Sequence, residues 1–412
     1  MPHTLVPLTW MTAPSTKKVM SALQSRGAEA RFVGGCVRDA LLNRPIKDID
    51  IATTEVPEKV IELLVEKKIK VIPTGLEHGT VTAVIGHQTF EITTLRRDVE
   101  TNGRHAVVKF TDNWKQDAER RDFTMNALSA DMQGTIYDYV GGYDDALTGN
   151  VRFIGNATTR IREDVLRILR FYRFLAHYGV GKANTAARTA CQKAASALPI
   201  LASERIQKEI LTLFQADAPL DAIELMRSDK ILVHCLPEAE DFDRLKKLLA
   251  IEALLKPHWP LFIIPDAILR LAALLSRCPH KVSAVSARLK FSKALHNRLL
   301  ALANTTRSSP DQYGLNKCLY EIGAESTRDY FLLNWAKCGV PSNYKMLLTT
   351  AAHWEKPKFP LTGQDVLATG TPAGPMVGKI LKRIEDWWVH EDFEPDRVKC
   401  LGKLHATISH TQ

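Results

Sequence analysis

The strongest constraint on how this chain can fold is the point at which its hydrophobic period changes. Up to about Asn150 the sequence carries short β-branched runs at 30–33, 48–52, 81–85, 90–95 and 135–140. Helix-like pieces at 37–42 and 57–68 separate them, and this alternation specifies a mixed α/β unit. From Arg160 onward the strand signal fades. The stretches 162–178, 203–214, 219–227, 267–275, 293–303, 326–337 and 376–389 have helical apolar spacing punctuated by Gly, Pro and Asn. The back half is therefore predicted to form helical bundles. A chain of 412 residues exceeds one ordinary core and favours several packed units. The polar segment 97–115 contains Gly103 and few apolar residues besides 106–108, and is predicted as a flexible loop between strands.

Charge narrows the partners only slightly: 55 Lys and Arg against 46 Asp and Glu leave a formal +9, which suits an acidic partner such as nucleic acid. Cysteine usage says more about compartment. Cys36, Cys191, Cys235, Cys278, Cys318, Cys338 and Cys400 never fall in CxxC spacing, which reads as reduced thiols rather than a disulfide or zinc framework. No apolar run approaches membrane-spanning length, and residues 1–30 lack a charged start followed by an apolar stretch and a cleavage site. A cytoplasmic protein without membrane contact is expected.

Chemistry first becomes visible at Phe32-Val33-Gly34-Gly35-Cys36-Val37-Arg38-Asp39, where a strand enters paired glycines and an amphipathic helix leaves them. Lacking Cβ atoms, Gly34 and Gly35 can bring backbone N–H groups against an anion, and Arg38 can reach back to it. A tight strand-to-helix connection explains the same glycines. In Lys47-Asp48-Ile49-Asp50-Ile51, strand alternation puts Asp48 and Asp50 on one face and the isoleucines on the other. Carboxylates about 7 Å apart along a strand can share hard cations, magnesium being natural where phosphates add ligands. In Thr89-Phe90-Glu91-Ile92-Thr93, Glu91 supplies a third carboxylate if its strand lies beside Asp50; otherwise it is a surface residue.

Two further segments are rich in cations. Arg120-Arg121-Asp122-Phe123-Thr124-Met125-Asn126 offers Arg121 to phosphates and Asp122 or Asn126 to ribose hydroxyls, although a charged helix start capped by Asp122 accounts for part of it. On the predicted helix 162–178, Asp164, Arg167, Arg170 and Arg173 step by three into a slanted polar stripe. With one acid on that stripe, the arginines are expected to keep donors for phosphate or base edges. Asp164 and Arg167 together can present a Watson–Crick-like edge to a nucleotide base.

In this order GGCVRD, KDIDI, RRDFTMNAL, GGYDDAL and EDVLRILRFYRF resemble the class II tRNA nucleotidyltransferases, the CCA-adding enzymes and their bacterial poly(A) polymerase relatives. The resemblance covers 31–174, with a weaker continuation through Ser203-Glu204-Arg205-Ile206-Gln207-Lys208-Glu209. It implies an α+β protein with a polymerase-β-like nucleotidyltransferase head (1–155), a helical neck with nucleotide-selecting and RNA-binding helices (156–240), and a helical body and tail for tRNA (241–412). It further implies two magnesium ions at Asp48 and Asp50, and CTP and ATP as substrates, while Glu91 is the candidate third catalytic carboxylate by its strand position alone. The triphosphate falls to Gly34, Gly35 and Arg38, and phosphates and ribose to Arg121, Asp122 and Asn126. Asp164 and Arg167 become a protein template, and Arg170 and Arg173 complete the pocket. Gly141-Gly142-Tyr143-Asp144 falls at the family's head–neck hinge. The 97–115 segment corresponds to the family's flexible loop, with Asp98, Arg104 and His105 as residues of interest. The partner implied is the tRNA 3′ end and acceptor arm, with no obligatory protein partner. A poly(A) polymerase, an enzyme adding only CC or only A, and a non-catalytic RNA-binding protein with a degenerate head are the competing readings. Trp387-Trp388 reads as core packing in preference to a base-stacking platform, and the glycine turns at 359–363 and 374–379 as helix punctuation or phosphate contacts.

Overall fold

Ile49 and Ile51 alternate with Asp50, and the strand they form, β2 (Ile49–Thr53), sits near the centre of a seven-stranded mixed sheet in the computed structural model, which describes residues 3–6, 8–102, 105–275, 278–303 and 312–409. The other strands are β1 (Ala30–Val33), β3 (Lys70–Gly75), β4 (Thr80–Ile85), β5 (Gln88–Thr94), β8 (Ser129–Ala130) and β9 (Ile136–Tyr137), in the order β3-β4-β5-β2-β1-β8-β9. Only β2 and β5 pair in parallel, with Asp50 opposite Glu91; the other neighbours are antiparallel. The strand β3 escaped sequence reading because it is an edge strand with mostly exposed side chains, so no apolar face marks it. Segment 97–115 is not a plain connector. It holds most of an antiparallel hairpin, β6 (Arg96–Asn102) and β7 (His105–Phe110), followed by the start of a helix at Trp114. Arg104 and Gly103 lie outside the described residues.

The chain folds into two compact units, 1–237 with 288–290 and 238–287 with 291–412. The first holds the sheet, helices α1 (Pro14–Leu23), α2 (Gly35–Leu41), α3 (Pro57–Glu66), α4 (Trp114–Glu119) and α5 (Gly142–Thr148), and a helical segment. That segment contains α6 (Ala157–Glu163), α7 (Arg167–Tyr178), α8 (Thr185–Ala194), α9 (Ser203–Phe214) and α10 (Leu220–Ser228). The expected continuous helix 162–178 is broken: Asp164 is extended, with φ −152° and ψ 108°. Its Oδ1 accepts the Leu166 amide at 3.1 Å, an Asx-type contact that competes with helical hydrogen bonding and starts α7 afresh. Buried Ile168, Leu169, Phe171, Tyr172 and Phe174 then form the apolar face of α7.

Helices are the regular elements of the second unit among its described residues, including Phe242–Leu255, Ala267–Leu274, Lys293–Ala303, Tyr344–Ala352, Pro375–His390 and Arg397–Ser409. Helix Gln312–Cys338 is kinked at Gly323, whose φ is 81°. Trp388 is 3% exposed and packs among Ile380, Ile384, Leu361 and Leu404, its indole N–H donating to the Pro395 carbonyl at 2.9 Å. Thr362 and Asp365 form a capping box at the start of Gly363–Leu367, so this glycine turn serves the helix end. No helix among the described residues is long and apolar enough to cross a membrane.

Candidate active site

Buried β1 delivers the chain into the turn at Gly34, where φ 70° and ψ −123° put the backbone in a region disfavoured for other residues. A Cβ there would come within 3.2 Å of Arg121 Nη1, so the glycine also lets that guanidinium close over the turn. The turn forms one wall of a cavity of ≈480 Å³, a volume suited to a small organic ligand. Gly34, Gly35, Arg38, Asp50, Arg121, Asp122, Asn126, Asp164, Arg167 and Arg170 all line it, joined by Arg120, Leu166, Phe174 and Arg205. The wall thus carries six arginines, at 38, 120, 121, 167, 170 and 205, against three aspartates, at 50, 122 and 164. Such a surplus draws a multiply charged anion.

The arginines are pre-positioned. Arg120 and Arg121 both bond the buried carboxylate of Asp117, at 2.8 and 3.0 Å. Burial alone would raise the Asp117 carboxyl, but these two guanidiniums carry it below the usual carboxylate range. Asn126 bridges two elements, accepting from Arg38 Nη1 at 2.5 Å and donating to Asp122 Oδ1 at 3.0 Å. Asp122 also pairs with Arg170 at 2.5 Å and accepts the Phe123 amide at 2.8 Å. Against the opposing effect of burial, Arg170 and these hydrogen bonds lower its carboxyl to about 2.

The arginine stripe corrects an expectation. Arg167 donates to Glu163 and to the Arg160 carbonyl, the latter at 2.9 Å, while Arg173 is bound to Glu209 at 2.5 Å. Each arginine has an acid from off the stripe: Glu163 four residues before Arg167, and for Arg170 and Arg173 the distant Asp122 and Glu209, which spacing within one segment could not reveal. Arg173 is not on the cavity wall; it packs 4.7 Å from the Phe174 ring and holds Glu209. Arg205, from α9, reaches across to Asp164 Oδ2 at 2.7 Å. Sequence reading noted its motif without giving it a role, because the pairing spans 41 positions.

Asp50 is half-buried on β2, whereas Asp48 lies just before the strand and is exposed. Glu91 sits opposite Asp50 on β5 and is exposed; neither Asp48 nor Glu91 lines the cavity. Among the described residues no three His, Cys, Asp or Glu side chains gather into a metal cluster. Burial, then the Glu91 charge, and further the Asp48 charge push the Asp50 carboxyl up to about 6, against the pull of Arg121 and Arg38. Hard oxygen donors carrying unrelieved like charge fit a divalent cation such as magnesium.

Beyond the wall, Asp138 accepts the backbone N–H groups of Val140, Gly141, Gly142 and Tyr143, at 3.1, 2.9, 3.0 and 3.0 Å, and shapes the Gly141-Gly142 turn. A Cβ on Gly142 would meet the Thr124 carbonyl oxygen at 2.0 Å, so α5 presses on the backbone that leads to Asn126. Gly142→Ala is expected to cost about 1–3 kcal/mol in urea unfolding through overpacking. An unchanged midpoint would mean that this contact yields freely.

Comparison with known proteins places these features. Residues 30–152 match the Poly A polymerase head domain family, and residues 184–243 match the family described as the probable RNA and SrmB-binding site of polymerase A. The chain is 31% identical to the mitochondrial CCA tRNA nucleotidyltransferase 1 of Danio rerio, over 92% of this chain and 88% of that protein. It is 30% identical to the CCA-adding enzyme of Bacillus cytotoxicus, over 93% of this chain and 96% of the relative. The solved CCA-adding enzyme of Bacillus stearothermophilus in complex with CTP superposes with a TM-score of 0.74 at 28% identity, covering 97% of this chain and 98% of that one. With the head and helical fold, the arginine-lined cavity and near full-length likeness together, the chain belongs to the class II CCA-adding enzymes, the tRNA nucleotidyltransferases.

Proposed function

We propose that this enzyme adds C, C and A to tRNA 3′ ends without a nucleic-acid template, transferring CMP and AMP from CTP and ATP and releasing pyrophosphate. The observation that carries the reading is one cavity wall combining Gly34, Arg38 and Arg121 on the head side with Asp164, Arg167 and Arg205 from the helical segment. The first group suits a triphosphate and the second a base edge. The head carries the chemistry, the helices from 156 to 240 select the nucleotide, and residues 241–412 hold the tRNA body by shape and phosphate contacts.

Arg121, braced by Asp117, and Arg38, braced by Asn126, neutralise the triphosphate and keep its α-phosphorus in line with the RNA 3′-hydroxyl. Asp48 and Asp50 would hold two magnesium ions, which when bound favour loss of the hydroxyl proton and neutralise the leaving pyrophosphate. Glu91, facing Asp50 across the sheet, adds negative charge to that side. The 3′-oxygen forms its bond to the α-phosphorus as the bond to the β-phosphate oxygen breaks. Asp122 and Asn126 face the ribose, and Arg170 keeps Asp122 charged. Seven free thiols suit a reducing compartment, the cytoplasm.

Base choice falls to Asp164 and Arg167. Asp164 is fixed by Arg205 and the Leu166 amide, and Arg167 by Glu163 and two backbone carbonyls. On a tRNA lacking its CCA end, Arg167→Ala is expected to raise UTP and GTP misincorporation relative to CTP and ATP by on the order of tenfold, while the tRNA dissociation constant stays unchanged. Weakened tRNA binding with intact selection would contradict the assignment. Addition of A tails is the second reading, favoured by the match of residues 30–152 to the Poly A polymerase head domain; it requires no use of CTP.

A further inference from the structure

Arg38 is 6% exposed, and its guanidinium is held on every edge. Nε and Nη2 each lie 2.9 Å from Asp39 Oδ1, Nη1 donates to Asn126 Oδ1 at 2.5 Å, and Nη2 donates to the Tyr178 hydroxyl at 2.6 Å. Of the five guanidinium N–H groups, hydrogen bonds take one each from Nε, Nη1 and Nη2, and the second N–H of Nη1 stays available. The Tyr178 ring also lies beside two cations, its centroid 4.0 Å from the Arg38 guanidinium and 4.6 Å from that of Arg44.

Tyr178 is the last residue of α7, the helix that begins with Arg167, and the two ends lie roughly 16 Å apart at helical rise. Its position is fixed from outside the helix as well. Val180 N–H donates to the Gly149 carbonyl at 3.1 Å. Gly149 has φ 67°, and a Cβ there would lie 2.7 Å from the Tyr178 carbonyl oxygen, so only glycine permits this approach.

We propose that Tyr178 is a positioning residue for Arg38: its hydroxyl and ring lock the guanidinium in the orientation that leaves the remaining Nη1 donor for the triphosphate. One helix then carries a base-selecting residue at its start and a brace for the phosphate-binding arginine at its end. This inference rests on the reading of the cavity as the triphosphate site.

The test compares the full-length enzyme with Tyr178→Phe, Arg38→Ala and the double variant, using calorimetric CTP and ATP binding, tRNA binding and the thermal midpoint. Tyr178→Phe keeps the ring and loses the hydrogen bond. It is expected to weaken CTP and ATP alike by on the order of tenfold, with the tRNA dissociation constant and midpoint unchanged. In the Arg38→Ala background it is expected to add no further loss, since the brace has nothing left to hold. The proposal is overturned if Tyr178→Phe binds both nucleotides like the unmutated enzyme, if the two losses multiply, or if weakened binding follows a fall in midpoint. Loss of CTP binding in Arg38→Ala alone would remove the role of Tyr178 and keep the cavity assignment. An unmutated enzyme that fails to bind CTP would remove both.

Discussion

Asp50→Ala is expected to lower nucleotide incorporation by about 10³-fold, because a lost cation site forfeits several kcal/mol of transition-state stabilisation and each 1.36 kcal/mol is a factor of ten. Stability should hold or rise. Asp50 is a half-buried carboxylate crowded by Glu91 and Asp48, and its removal relieves that repulsion. Opposite movement of activity and stability is the signature of a residue kept for chemistry. The check is single-turnover CMP incorporation alongside urea unfolding. Retained incorporation in Asp50→Ala and Asp48→Ala would remove these carboxylates from the chemistry, and an unmutated protein that incorporates nothing would favour the reading of the head as a degenerate RNA-binding module. A fall in stability matching the fall in rate would make Asp50 a structural residue.

Asp122→Ala has the largest expected effect on folding, about 3 kcal/mol, because Arg170 loses the closer of its two acidic partners, with Glu209 left 3.9 Å away. The Asn126 amide and the Phe123 N–H lose their acceptor in the same step. Both link directly to the cavity, so CTP affinity should fall as well. The pH dependence has a definite sign. The folded-state carboxyl lies near 2, below its ordinary unfolded value of about 4. Its stabilisation is therefore complete above about pH 4 and is lost as pH falls towards 2, amounting to about 2 kcal/mol. Urea midpoints measured across that acid range should converge for the unmutated protein and Asp122→Asn. Parallel curves would assign the acid sensitivity to other carboxylates.

Residues whose role depends on short-range geometry were legible in the chain itself. The strand–glycine–helix pattern at 32–42 and the apolar alternation at 49–51 needed only local sterics, and the structure has β1, α2 and β2 there. Helices Ser203–Phe214 and Lys293–Ala303 likewise match their predicted spans, because apolar periodicity and flanking punctuation are local signals. What stayed hidden depends on partners distant in sequence. Nothing near Arg173 announces Glu209, nor does anything near Asp164 announce Arg205. The break at Asp164 did leave a mark, an aspartate just before Leu166-Arg167 that can accept a backbone N–H, but the three-residue charge rhythm running through it masked the signal. Hairpin β6–β7 was missed because its polar composition resembles a loop, while its backbone pairs antiparallel.

These pieces converge on one claim, that a single protein surface binds the triphosphate and also specifies C, C and A. The most direct measurement is the length and sequence of products made from a tRNA ending before its CCA, with CTP and ATP supplied separately and together. Two C residues are expected with CTP alone, one A following them when ATP is added, and no further growth. Long A tails, or addition that ignores CTP, would contradict it.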